Sequence, residues 1–149
     1  MAMAPAFVAA DRVSRWLPLP LSLALYFFIH KTGMNIPTWP VEGRWYFNPF
    51  TWQLVFVLGF VLADPIGPLA RLRKHRLALR AIALPIVLVS LWVALIEWTP
   101  DPLAMPEPRL LFTFDKTFAA PARILHLLAL VALIGGLFVY IERAIPFLA

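Results

Sequence analysis

The chain has 149 residues, 62% of them hydrophobic and only 14% charged, with a net charge of +5 and no cysteine. Soluble domains are typically about 45–50% apolar and about 25% charged, so this composition does not encode an ordinary water-facing surface. The lack of cysteine excludes disulfide frameworks, thiolate metal sites and thiol catalysis.

The apolar residues fall into four blocks separated by proline-rich, charged or aromatic connections, and the 15 prolines gather at block edges. The pattern predicts an all-α, polytopic membrane bundle of about four transmembrane helices, near residues 16–30, 49–63, 81–98 and 121–140, in a single domain over 1–149. The excess positive charge concentrates in one short segment between two blocks. It therefore reads as an orientation signal in a lipid bilayer, and nucleic acid is not an expected partner.

Residues 1–10 are small and apolar but lack the leading positive charge of a signal peptide. The first block opens with Pro18 and Pro20 in its early turns, where a helix tolerates proline best, and closes at His30-Lys31. His30 reads as an interfacial residue near the last carbonyls, with a catalytic role as the competing reading. The 32–47 connection, with Gly33, Pro37, Trp39, Pro40 and Gly43, is too apolar for a solvated linker. It is expected to lie against the membrane surface or pack over the bundle. Its Trp39, Glu42, Arg44 and Trp45 suit either sugar recognition or an aromatic interfacial anchor.

In the second block, Asn48 and Pro49 read as an N-cap and a first helical residue. No charge occurs from Pro49 to Ala63, and Trp45, Tyr46, Phe47 and Trp52 crowd its start. At about 15 residues and ~1.5 Å per residue the run is short for a ~30 Å hydrocarbon core, unless the aromatic collar counts or the bilayer thins. Gln53 places a side-chain amide one turn inside this helix. Such a group needs a partner, on another helix or on a substrate.

Residues 64–80 carry Arg71, Arg73, Lys74, His75, Arg76 and Arg80 and are expected to form a loop held in the cytoplasm. Anionic lipid headgroups are a secondary ligand for it. An acyl-CoA could be drawn there too, but no phosphate-cradling glycine loop accompanies the charge. In the third block Pro85 invites a kink and Ser90 a bond to its own helix. Residues 99–118, with prolines at 100, 102, 106 and 108, read as an extended connection on the opposite side. Pro121 opens the fourth block, where Ala132 and Gly136 give small-xxx-small spacing for close helix contact.

Arg123 and His126 lie three apart and share a helix face. Ionisable residues at membrane depth call for a functional hypothesis. Either His126 serves a substrate path or polar network, or Asp115 pairs with Arg123 and His126 is satisfied nearby. With the basic segment inside, both termini are cytoplasmic, and lysine and arginine number eight inside against five outside.

No Gly-x-Ser-x-Gly elbow, His-Glu-x-x-His motif or carboxylate pair on one helix face occurs, and the three histidines lie in separate segments, which disfavours a metal site. Transfer of an acyl group to a hydroxyl needs a general base, and His126 is the one reasonable candidate.

Two stretches carry a family resemblance. Phe47-Asn48-Pro49, Trp52-Gln53-Leu54 and Phe56-Val57-Leu58-Gly59 resemble a signature of the OpgC family, and Asp115-Lys116-Thr117 followed by Pro121, Arg123, Leu125 and His126 is a second match. The resemblance implies a bacterial inner-membrane protein, related to membrane O-acyltransferases and involved in succinylating osmoregulated periplasmic glucans. It implies a donor such as succinyl-CoA, no bound cofactor, and His126, Trp45, Asn48, Gln53, Asp115, Lys116 and Arg123 as site candidates. Family members are longer, and the base they are expected to use belongs to an Asp-His pair that this sequence lacks. The expectation is a truncated or split member, inactive alone, that pairs with a separate N-terminal acyltransferase chain or with itself. The alternative is a non-catalytic membrane partner or a small transporter-like bundle.

Overall fold

A computed structural model describes residues 4–98 and 106–144, with side chains as far as residue 135. Among these residues the regular elements are helical: α1 (Ala4–Val13), α2 (Pro18–Thr32), α3 (Pro49–Ala63), α4 (Arg76–Leu95) and α5 (Pro121–Ala144). Two 3-10 turns, Ala70–His75 and Arg109–Leu111, complete them. The all-α expectation holds.

Local chemistry fixes the helix ends. Asn48 is extended, and its side-chain oxygen accepts the Phe50 N–H at 3.0 Å, satisfying one of the orphan amides at the start of α3. α2 stops at Gly33, whose φ of 65° lets its N–H turn back onto the Ile29 carbonyl at 2.8 Å. Between these helices the chain doubles back through an isolated antiparallel bridge from Pro37 to Arg44. A Cβ at Gly43 would lie 2.9 Å from the Thr38 hydroxyl, so a larger residue there would have to displace that side chain. The connection does not pack over the bundle: Trp39 and Val41 are exposed.

α2 packs against α3 and α4 against α5. Tyr26, Leu54 and Ile124 join α2, α3 and α5 in one small core, flanked by Leu19, Leu23, Val55, Leu58 and Leu128. Among the described residues many other apolar side chains point outward. α4 buries only Ala83, leaving Leu84, Leu88, Leu91 and Trp92 exposed, and Phe27, Phe28, Phe56 and Phe60 project from α2 and α3.

The one described segment both long and apolar enough to cross a membrane is Ala70–Leu95; α3 and residues Pro121–Gly135 are apolar but shorter. Several bounds differ from expectation, α2 running Pro18–Thr32 rather than 16–30 and α5 ending at Ala144 rather than 140. α1 lies ahead of the four expected helices. α4 begins at Arg76 rather than 81, so the basic segment is a 3-10 turn feeding directly into helix and not a loop. Arginine, lysine and leucine are strong helix formers, and no glycine or proline interrupts residues 70–84. α4 ends at Leu95, before Glu97 takes a positive φ of 50°. Pro100 and Pro102 lie outside the described residues.

Candidate functional site

Polar side chains converge where the end of α2 and the start of α3 meet the segment Phe114–Ala120. Asn48 is fully buried and ties three pieces of chain together. Its N–H donates to the Thr117 carbonyl at 2.9 Å, its side-chain amide donates to the Met34 carbonyl at 2.7 Å, and its side-chain oxygen caps α3. One turn on, the Trp52 indole donates to the Lys116 carbonyl at 3.0 Å. The Tyr26 hydroxyl donates to the carbonyl of Ala119 at 2.8 Å. Ala119 is fully buried with φ 48°, a left-handed conformation that costs an L-residue about 1–2 kcal/mol and turns the chain into α5.

Gln53 finds its partner on another helix. Its amide nitrogen donates to the Ser22 carbonyl at 3.0 Å and its oxygen accepts the Ser22 hydroxyl at 2.8 Å. One N–H and one oxygen lone pair of its amide are thereby engaged by α2. Thr51, also fully buried, bonds back to the Asn48 carbonyl at 3.1 Å. Ser90 likewise bonds to Ile86, four residues back, at 2.8 Å.

The expected Asp115–Arg123 pair is not formed. Arg123 directs Nε and Nη2 onto the Phe114 carbonyl at 2.9 and 2.8 Å. Asp115 instead caps its own turn, accepting the Thr117 N–H at 2.6 Å. Adjacent backbone groups outcompete the ion pair because they need no ordering of two flexible side chains. Nor is His126 satisfied: its Nδ1 is buried without a partner. Lys116 is exposed and enters the cluster through its carbonyl, and Trp45 is exposed, its backbone paired with Ile36 and Asn35.

His30 is buried in the last turn of α2. Its Nδ1 lies 2.9 Å from the Tyr26 carbonyl, its ring is 4.1 Å from that of Tyr26, and its Nε2 has no partner. Ser22, Tyr26 and His30 recur every four residues and form a buried polar stripe on α2, a spacing legible in the sequence. Among the described residues no three histidine or carboxylate groups gather to hold a metal. The cluster is therefore a hydrogen-bonded weld with one unpartnered imidazole nitrogen, His30 Nε2, buried within it.

α3 and α5 both start from this weld and run the same way. Beyond Leu54 and Ile124 they leave an apolar slot of about 400 Å³, walled by Leu58, Gly59 and Leu62 on one side and Leu128 and Val131 on the other. At its far end Arg73 donates Nη2 to the Leu62 and Ala63 carbonyls at 3.0 and 2.7 Å, completing α3. Arg80 donates Nε to the Ala132 carbonyl of α5 at 3.4 Å. Arg15 lies 3.7 Å from Asp64, which caps α3 at the same end.

Against known families, the model described as OpgC protein matches residues 1–144. No curated protein and no solved structure matches the chain.

Proposed function

The chain belongs to the OpgC family, and from that membership we propose that it is the multi-pass inner-membrane scaffold of a machinery that transfers acyl groups, succinyl in the first instance, to osmoregulated periplasmic glucans. The family match over residues 1–144 carries the reading. The many outward-turned apolar side chains of α2, α3 and α4 support placement in lipid, since soluble monomers rarely expose large apolar patches. In this arrangement α2, α3, α4 and α5 each cross the bilayer. The basic turn Ala70–His75 and both termini lie in the cytoplasm, and the weld faces the periplasm.

In this reading the family-signature residues Asn48, Trp52 and Gln53 serve architecture, because each spends its side chain on neighbouring backbone or on Ser22. The base that takes the sugar hydroxyl proton, and the site for a donor such as succinyl-CoA, come from a segment or partner chain outside these 149 residues. Deleting the gene should strip succinyl groups from the periplasmic glucans, and the wild-type chain should restore them. Unchanged glucans on deletion sink the proposal. A second reading makes His126 the base, favoured by its unpartnered Nδ1. Restoration by His126→Ala rejects it.

A further inference from the structure

The slot between α3 and α5 and the guanidiniums at its far end take no part in the weld. Along α3 the slot runs from Val55 to Ala63, about 12 Å at ~1.5 Å per residue. Gly59 contributes no side chain to it, and a Cβ there would meet nothing within 4 Å. Every named wall residue is apolar, so the slot suits a hydrocarbon chain.

The far end supplies the opposite chemistry. Arg73 uses Nη2 on the carbonyls of Leu62 and Ala63, and Arg80 uses Nε on Ala132. Their remaining N–H groups have no partner among the described residues. Guanidinium is the side chain best matched to phosphate, through paired N–H donors. The nearby carboxylate, Asp64, is already offset by Arg15.

We propose that the chain binds an anionic phospholipid of the cytoplasmic leaflet, with one acyl chain in the α3–α5 slot and its phosphate on Arg73 and Arg80. The inference rests on the membrane placement proposed above and adds a defined lipid site to it.

The test offers the purified full chain, in detergent, equal concentrations of phosphatidylglycerol and phosphatidylcholine with identical acyl chains, and counts retained lipid by native mass spectrometry. One phosphatidylglycerol per chain is expected to be held in preference to phosphatidylcholine. Arg73→Gln and Arg80→Gln should each lower that preference about fivefold, the effect of one basic residue near an anionic surface. Gly59→Phe places a ring where Gly59 lines the slot and should abolish retention with both arginines in place. Equal retention of the two lipids, or undiminished phosphatidylglycerol on Gly59→Phe, overturns the site. Alkaline carbonate extraction separates the two readings. A chain that stays with the membrane pellet but shows no lipid preference loses this inference alone, and one that is extracted loses both.

Discussion

Ser22 and Gln53 exchange two hydrogen bonds across the α2–α3 contact, hydroxyl to amide oxygen at 2.8 Å and amide nitrogen to the Ser22 carbonyl at 3.0 Å. Both residues are buried, so neither bond competes with water. Interhelical bonds of this kind in membrane proteins average about 0.6 kcal/mol and reach about 1.7. Ser22→Ala removes one bond and leaves the amide oxygen bare. Gln53→Leu removes both but leaves a hydroxyl that can bond back along α2. Thermal unfolding of the two single variants and the double variant in detergent should give a coupling energy within that range. Additive losses would show that the pair does not hold α2 to α3.

The weld around Asn48 makes a sharper case. Asn48→Ala loses the cap, about 1 kcal/mol, and also strands the Met34 carbonyl. Asn48→Asp keeps the cap but places a carboxylate at a fully buried position facing that same carbonyl. The aspartate variant should therefore be the less stable of the two, reversing the order expected for a simple N-cap. Trp52→Phe should cost about 1 kcal/mol through the lost indole bond to Lys116, while its ring still packs edge-on against Phe47. Thermal unfolding ranks all three.

The sequence made the helix count near 49–63 and 121 legible because cap chemistry is local: Asn48-Pro49 and Pro121 announce their helices. Gln53 was legible as a buried amide in want of a partner, but the partner, Ser22, was not, since pairing across 31 residues depends on how α2 and α3 dock. Arg123 misled for the opposite reason. A nearby aspartate suggested an ion pair, while the Phe114 carbonyl, invisible in a list of side chains, offered a closer acceptor for its fork. Charge alone suggests a loop for the basic segment, whereas its residue types favour helix once glycine and proline are absent.

The absence of cysteine makes orientation directly measurable. Trp39 is 91% exposed on the loop between α2 and α3, and Lys74 is exposed on the turn before α4. In intact cells a membrane-impermeant maleimide should label Trp39→Cys and spare Lys74→Cys, with both labelled after lysis. The reverse pattern inverts the proposed topology, and labelling of both in intact cells dismisses the α3 crossing.

His30 separates architecture from chemistry. Its Nδ1 faces the Tyr26 carbonyl, so that nitrogen carries the proton and Nε2 is the bare acceptor, buried with no partner. An unsatisfied buried acceptor costs about 1–3 kcal/mol. His30→Phe removes this liability and keeps an aromatic ring against Tyr26 and Phe118. What it gives up is one bond to a carbonyl that sits within a helix, about 0.5–1.5 kcal/mol. The two nearly cancel, so His30→Phe should unfold within about 1 kcal/mol of wild type, whereas His30→Ala opens a cavity and should lose about 3 kcal/mol or more. If His30 only fills the weld, cells carrying His30→Phe keep their glucans succinylated. Succinylation lost from a variant of undiminished stability would mean that Nε2 handles a proton, and His30 would then displace His126 as the imidazole to pursue.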